Sequence, residues 1–275
     1  MSEVLESWID GVAGGSLPVD DRGLQYGDGL FETMLVRDGR VRFLDDHLAR
    51  LDLGRGRLGI PLLPVYLRAE IGVAVARAPQ LAALKLIVTR GSAARRGYAP
   101  RGVVTPRRVL TLLAAPPLPA TWRTGVDLRI ASLRLSTQPL LAGIKHLNRL
   151  ENVLAATEPG HDAVFDSVLL DTQGNAIAGT MSNVFIVAGG RVSTARADRC
   201  GVAGVMRGVV LRECVKLGIP CDQRDVSLAQ LHAADEVFIT NARIGVVPVR
   251  RVGEHSIPVN ELALRLADHI EALDA

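Results

Sequence analysis

Lysine is rare in this sequence, so the lysines are the first residues to consider for chemistry. The 275-residue chain has 32 basic residues, of which 29 are Arg and three are Lys85, Lys145 and Lys216. A surface charge can be either residue type. A nucleophilic amine that forms a Schiff base cannot be arginine, because the guanidinium group stays protonated in proteins. The three lysines are therefore the candidate nucleophiles.

Local sequence ranks these three lysines. Lys216 stands near the end of a predicted helix, where the helix dipole favours a cation, and Lys85 lies in a strand-like run over residues 83–89. Lys145 stands between a Pro- and Gly-containing loop and an amphipathic helical pattern, a junction from which its side chain can point into a cleft. That pattern places apolar residues at Leu147, Leu150, Val153 and Leu154. We rank Lys145 first, with an ordinary exposed lysine as the alternative.

The segment around Lys145 also resembles a known family. Residues 143–152, Gly-Ile-Lys-His-Leu-Asn-Arg-Leu-Glu-Asn, resemble the lysine segment of the fold-type-IV enzymes that use pyridoxal 5'-phosphate (PLP). Three further stretches resemble the family in the same order, at residues 21–33, 89–98 and 201–207. Within the family the chain is most similar to the 4-amino-4-deoxychorismate lyases. The resemblance implies that Lys145 binds PLP covalently and is the catalytic residue.

The resemblance also implies residues that hold the cofactor phosphate. The stretch His47-Leu-Ala-Arg-Leu resembles the His-x-x-Arg-Leu segment of the family, whose arginine binds phosphate, and this assigns Arg50. Residues 201–207 form a Gly-bearing loop that runs into a predicted helix, and free N–H groups at a helix start suit an anion. The family match assigns the backbone of Val205 and Met206, with a third candidate at Thr240, Asn241 and Ala242. The alternatives are a solvated helix arginine at Arg50 and a plain glycine loop before Val205.

One position departs from the family pattern. The family usually has a Glu that faces the pyridine nitrogen of PLP, five residues before the Asn of an Asn-(Leu/Val)-Phe motif. Here the motif begins at Asn183, and the corresponding residue is Ala178. A protonated pyridine is the strong electron sink that transamination uses. The departure therefore weakens an aminotransferase interpretation more than a lyase interpretation.

Candidate substrate-binding residues lie in two other stretches. Residues 90–98 form an arginine-rich loop that ends in Tyr98, and Arg binds carboxylates in a bidentate manner. The family pattern has a single Arg before Gly-Tyr, which assigns Arg96, with Arg95 left open as the alternative. Tyr26 and Glu32 are predicted to line the same cleft. A basic surface loop, and a structural role for Glu32, are the competing interpretations.

Patterning predicts an α/β (α+β) protein with two α/β subdomains, and the resemblance implies the fold-type-IV arrangement with the cofactor cleft between them. The predicted boundaries are 1–114 for the N-terminal subdomain, 115–124 for a proline-rich linker, and 125–275 for a C-terminal subdomain that carries the PLP lysine. Apolar content is 48%, charged content is 22% and net charge is +3, as in an ordinary globular protein. We expect no nucleic-acid binding and no membrane span.

The sequence also bears on the cellular compartment and the assembly of the protein. Cys200, Cys214 and Cys221 lack metal-type spacing, and the first residues lack a signal-peptide pattern, so we expect reduced thiols, a cytoplasmic location and no metal site. The resemblance implies a homodimer that acts on a small molecule. The predicted reaction converts 4-amino-4-deoxychorismate to 4-aminobenzoate and pyruvate in folate biosynthesis. The alternatives are an aminotransferase of the same fold, for D-amino or branched-chain amino acids, and a non-catalytic binding protein.

Overall fold

The structure, a computed structural model, describes residues 3–61, 64–93, 97–102 and 104–273, and the side chains of residues 64–66 lie outside the description. Contacts divide the chain into two compact units. The first comprises Met1–Pro117 and Ile144–Asn148, and the second comprises Leu118–Gly143 and Arg149–Ala275. Each unit combines a β-sheet with helices, which confirms the predicted α/β (α+β) class.

The first unit is built on a six-stranded antiparallel sheet with strand order β2-β1-β6-β5-β3-β4. Its strands are β1 (Val4–Ile9), β2 (Val12–Ala13), β3 (Gly29–Arg37), β4 (Arg40–Val41), β5 (Leu81–Thr89) and β6 (Arg107–Ala114). Its helices are α1 (Arg22–Tyr26), α2 (Leu44–Leu58) and α3 (Pro64–Val75). A hairpin turn lies between β3 and β4, where Asp38 and Gly39 both have positive φ.

Strand β3 has two different faces because successive side chains of a strand point to opposite sides. Leu30, Glu32 and Met34 are at most 1% exposed, and α2 packs against this strand. Phe31 and Thr33 are half-buried on the other face. Helix α2 starts with Asp45 and Asp46 in its first turn, as its dipole favours, and ends at the left-handed Gly59. The sheet thus separates a closed face under α2 from a more open face.

The second unit is built on a nine-stranded mixed sheet. Its strands are β7 (Val126–Leu135), β8 (Asp166–Asp171), β9 (Ala176–Gly179), β10 (Asn183–Ala188), β11 (Arg191–Thr194), β12 (Cys221–Gln223), β13 (Glu236–Asn241), β14 (Gly245–Val252) and β15 (His255–Ser256). Its helices are α4 (Leu150–Ala156), α5 (Val205–Lys216), α6 (Leu228–His232) and α7 (Glu261–Ala272). Asn183 pairs with Ala178, so β10, β13, β14, β7, β8 and β9 close into a ring.

The boundary between the units differs in detail from the predicted linker at 115–124. The chain passes from one unit to the other after Pro117, and Ala120–Thr124 forms a 3-10 helix. Leu118 and Trp122 pack against the apolar core of the second unit. The second half of the predicted linker is therefore part of a folded unit, because an apolar side chain such as Trp122 is stabilised by burial.

The lysine segment also lies elsewhere than predicted. Ile144–Asn148 belongs to the first unit, although its neighbours in sequence belong to the second. The Phe31 amide donates a hydrogen bond to the Lys145 carbonyl at 2.9 Å, and the Leu147 amide donates to the Gly29 carbonyl at 3.0 Å. These bonds extend the first sheet at the end of β3 that β4 does not cover.

The helix predicted from Lys145 onward is short and begins at Leu150. The apolar residues of its pattern are on the surface of this chain, with Leu150, Val153 and Leu154 exposed by 75%, 52% and 58%. Residues 145–147 pair with β3 instead of joining the helix. Among the described residues, the structure contains no helix with the length and apolar character needed to cross a membrane.

Candidate active site

Lys145 is fixed in the first unit by its backbone and lies on the open face of the sheet. Its Nζ atom lies 4.2 Å from the centroid of the Phe31 ring, which attracts a cation through the ring quadrupole. Asn148 donates to the carbonyl of Gly27 at 3.4 Å. Gly27 has φ +66°, and a Cβ atom there would lie only 2.4 Å from Asn148 Oδ1. Glycine at this position therefore lets the lysine segment approach.

Arg50 is held on the other face of β3 by a buried carboxylate. Its Nε atom donates to Glu32 Oε1 at 2.8 Å, and its Nη2 atom donates to Glu32 Oε2. The Nδ1 atom of His47 lies 2.6 Å from the same Oε2 atom. His47 and Arg50 are three residues apart on α2 and therefore share a helix face. The His-x-x-Arg spacing thus places two side chains on one carboxylate.

The charge state of Glu32 follows from these contacts. Burial opposes ionisation of the carboxyl group, but the Arg50 charge and the hydrogen bonds from His47 and Arg50 outweigh it and lower the pKa of Glu32. The Glu32 side chain is 1% exposed and that of Arg50 is 10% exposed. Glu32 therefore holds Arg50 in place, which favours the competing interpretation of Glu32 as a structural residue.

The predicted substrate loop is only partly described. Arg95 and Arg96 lie outside the described residues. Tyr98 is 86% exposed, and its ring centroid lies 5.5 Å from that of Tyr26 at an interplanar angle of 60°. The structure thus brings Tyr26 and Tyr98 into contact.

Sequence reasoning missed the residues that anchor this loop. Arg22 donates to the carbonyls of Gly97 and Tyr98 at 2.8 and 2.5 Å, and its Nε atom donates to Asp28 at 2.8 Å. Asp28 also accepts from Arg90. Burial opposes ionisation of Asp28, but the two arginines lower its pKa overall. An Arg in the Asp21-Arg-Gly stretch was the available signal, but its acceptors are backbone atoms about 75 residues away.

In the second unit, helix α5 begins with backbone amides of the kind that bind anions. Its N-cap residue Gly204 makes no side-chain capping bond, and the first amides of any helix lack intrahelical acceptors. Asn183 donates to the Val202 carbonyl at 2.9 Å, and a Cβ atom on Gly204 would lie 2.0 Å from Asn183 Oδ1. Asn183 therefore sets the loop that leads into Val205 and Met206.

Thr240 adds a second donor to this region. It pairs with Asn183 across β13 and β10, it is fully buried, and its hydroxyl has no hydrogen-bond partner among the residues that the structure describes. A buried hydroxyl without a partner is costly. An anion with several acceptor oxygens, such as a phosphate, suits both this hydroxyl and the uncapped helix start. The donor set of the second unit therefore fits the phosphate of PLP.

Asn241 and Ala242 lie at the end of β13, where the Asn241 side chain makes hydrogen bonds to backbone groups. The Asn241 Oδ1 atom accepts from the amides of Arg243 and Ile244, both at 2.9 Å, and so builds the turn between β13 and β14. Its side-chain amide donates to the Met181 carbonyl at 3.3 Å. The predicted phosphate contact therefore depends on backbone groups of Asn241 and Ala242.

Sequence reasoning missed a buried carboxylate, Asp166, which lies beside Gly179, the residue that follows Ala178. Ala178 is 7% exposed on β9 and packs in an apolar cluster with Leu169 and Ile177. Asp166 is fully buried and accepts from Ser182 Oγ at 2.7 Å. It also accepts from Thr180 N and Oγ1, from Ser167 N and from Met181 N. These neutral donors fix the turn that follows Ala178.

Comparisons with known proteins agree with this fold. The sequence profile of the amino-transferase class IV family matches residues 29–252. The match covers most of the chain, so the protein belongs to that family.

The chain is similar both to a lyase and to aminotransferases of this family. The chain is 34% identical to an aminodeoxychorismate lyase from Vibrio harveyi over 268 residues, 96% of this chain and 98% of the relative. It is 28% identical to a D-alanine aminotransferase from Bacillus licheniformis over 247 residues, 88% of this chain and 85% of the relative. The crystal structure of 4-amino-4-deoxychorismate lyase from Pseudomonas aeruginosa superposes with a TM-score of 0.90 at 45% identity, over 97% of this chain and 98% of that one.

Proposed function

We propose that this protein is a PLP-dependent lyase that converts 4-amino-4-deoxychorismate to 4-aminobenzoate and pyruvate, a step of folate biosynthesis. The observation that carries the proposal is the near full-length similarity to the lyase from Pseudomonas aeruginosa, at 45% identity. The placement of Lys145 supports it, because backbone hydrogen bonds hold this residue on the open face of the first sheet, with its amine 4.2 Å from the centroid of the Phe31 ring.

The residues proposed to hold the cofactor come from both units. Lys145 supplies the amine for the covalent link, and Arg50 supplies a cation for the phosphate. The amides of Val205 and Met206 and the Thr240 hydroxyl supply donors to the phosphate oxygens. When bound, PLP supplies an electron sink for the carbon atom that bears the substrate amine.

The chain's own residues then have defined tasks. With PLP and substrate bound, the Lys145 amine would act as the general base and take the proton from the ring carbon that bears the substrate amine. Loss of the enolpyruvyl group as pyruvate leaves an aromatic ring. Because aromatisation drives this reaction, it demands less of an electron sink than transamination does. Ala178, which puts no carboxylate where the family usually has one, is compatible with that lower demand.

An aminotransferase is the second candidate, favoured by the similarity to the D-alanine aminotransferase. It requires reversible proton transfer and a strong sink, and Ala178 argues against it. A non-catalytic binding protein is the third possibility. A colourless purified protein without turnover would support that third possibility.

The test is incubation of the PLP-loaded protein with 4-amino-4-deoxychorismate. We expect 4-aminobenzoate and pyruvate in equal amounts, detected by fluorescence and by a coupled lactate dehydrogenase assay. D-Alanine and branched-chain amino acids with a 2-oxo acid acceptor form the competing assay. Amino transfer without release of 4-aminobenzoate would replace the lyase by the aminotransferase.

We also propose a cytoplasmic homodimer, as the resemblance implies. Cys200 and Cys214 are buried and Cys221 is half-buried, all three as free thiols, which suits a reducing compartment. Sedimentation of the active protein tests the assembly. A fully active monomer at low protein concentration would reject the homodimer.

A further inference from the structure

Lys85 faces the same aromatic ring as Lys145. On β5 it pairs with Thr33, two residues along β3 from Phe31, so Lys85 and Phe31 lie on the same face of the sheet. Its Nζ atom lies 5.8 Å from the centroid of the Phe31 ring, against 4.2 Å for Lys145. Two of the three lysines of the chain therefore flank one ring on the open face of the first unit.

Lys85 also lacks the partners that other cations of this chain have. Lys216 contacts Glu213 at 2.7 Å, and Arg108 contacts Glu70 at 2.7 Å. Over residues 3–61, 64–93, 97–102 and 104–273, no hydrogen bond or carboxylate contact is found for the Lys85 ammonium group. Yet the residue is half-buried. A partly desolvated cation without an anion is costly, so its retention calls for an anionic ligand.

We propose that the Lys85 ammonium group binds a carboxylate of the substrate, on the same sheet face on which Lys145 supplies the reacting amine. This inference rests on the proposed function. The proposed substrate carries two carboxylates, so it requires cations besides the residues that hold the cofactor.

The residue type supports this assignment. Arginine serves nearly everywhere else in this chain as the basic residue. A guanidinium at position 85 would stack on the face of Phe31, whereas an ammonium group is a compact charge with three donors on a flexible stem. Lysine at this position therefore leaves the ring face beside Lys145 accessible while still offering a positive charge.

The test uses chorismate, which has both carboxylates but a hydroxyl group in place of the amine and so cannot displace Lys145. Its affinity for the PLP-loaded protein is measured by calorimetry for the wild type, Lys85→Met and Lys85→Arg. Lys216→Met is the control, because it removes the same charge from an exposed site. We expect Lys85→Met to weaken chorismate binding about tenfold or more.

Further readouts separate binding from folding and from cofactor loading. In Lys85→Met, KM for 4-amino-4-deoxychorismate should rise by a similar factor, while the cofactor absorbance stays as in the wild type and the thermal unfolding midpoint does not fall below that of the wild type. Lys85→Arg should recover part of the chorismate affinity because it keeps the charge. Lys216→Met should bind chorismate as the wild type does.

The outcomes distinguish this inference from the proposed function. A wild type that binds chorismate, together with a Lys85→Met variant that binds it within about twofold, overturns the role of Lys85 alone. A wild type that neither binds chorismate nor releases 4-aminobenzoate contradicts the proposed function, and the role of Lys85 with it.

Discussion

The two units each bury a carboxylate near the residues proposed to act, but they satisfy it in opposite ways. Glu32 is 1% exposed and contacts the Arg50 guanidinium and His47. Asp166 is fully buried and accepts hydrogen bonds from neutral amides and hydroxyls. An ion pair fixes the direction of a cation, whereas a set of neutral donors fixes the path of the backbone. Glu32 therefore orients the Arg50 side chain, which we propose binds the phosphate, and Asp166 shapes a turn.

The largest effect should come from removing Asp166. Asp166→Ala leaves several buried donors without an acceptor, so we expect the free energy of unfolding to fall by about 3 kcal/mol or more. Urea denaturation measures this loss. Asp45→Ala is the control, because Asp45 is 86% exposed in its ion pair with Arg68 and such pairs contribute little. Equal stability of the two variants would contradict a structural role for Asp166.

The next effect concerns Arg50 and is seen in ligand binding. Arg50→Ala removes a charge-assisted contact to phosphate, so PLP affinity should fall about tenfold or more. Affinity for pyridoxal, which lacks the phosphate, should change much less. Glu32→Gln should lower the PLP-to-pyridoxal affinity ratio in the same direction but by a smaller factor, because the guanidinium remains but is held less firmly.

A matched pair elsewhere in the first unit controls for loss of stability. Arg108 donates its Nε and Nη2 atoms to Glu70 at 2.7 Å each, the same side-on geometry as between Arg50 and Glu32. Glu70→Gln and Arg108→Ala should leave the PLP-to-pyridoxal ratio unchanged. If Arg50→Ala weakens both ligands equally, Arg50 is a structural residue and its phosphate role is rejected.

A smaller effect on function is expected from adding a carboxylate at Ala178. Ala178→Glu places an acid in an apolar cluster that offers neither the cation of Glu32 nor the donors of Asp166, so some stability should be lost. If the new carboxylate reaches the ring nitrogen of PLP, amino transfer should rise relative to the lyase reaction. The ratio of the two activities before and after the change is the measurement. A wild type that already transaminates as fast as it eliminates would make Ala178 a neutral replacement.

Much of the local structure could be predicted from sequence because its causes are local. The Asp38-Gly39 turn follows from residues that tolerate positive φ, and the helix predicted to follow the loop at residues 201–207 is observed at Val205–Lys216, with Gly218 just beyond its end. The Glu32 contact could not be predicted in the same way. The alternation of side chains along β3 predicts the face of the sheet on which Glu32 lies. Only the packing of α2 against β3 brings Arg50 and His47 to the Glu32 carboxylate.

The positions of the lysine side chains also depend on contacts between distant parts of the chain. The rarity of lysine and the family motif identified Lys145 as the candidate, but pairing of residues 145–147 with β3 joins parts of the chain more than 100 residues apart. Local propensity carries no information about such a partner. Lys85 was predicted in a strand-like run over residues 83–89. Its approach to the ring beside Lys145 depends on sheet register, which the sequence pattern did not specify.

The central claim, that Lys145 is the amine that binds PLP, has a direct test. The PLP-loaded protein is reduced with borohydride and digested, and the peptide that carries the phosphopyridoxyl group is identified by mass spectrometry, with Lys145→Ala as the control. We predict the group on Lys145 in the wild type, and no trapped group or turnover in the variant. Phosphopyridoxyl on Lys216, or on Lys85 beside the same ring, would contradict the assignment.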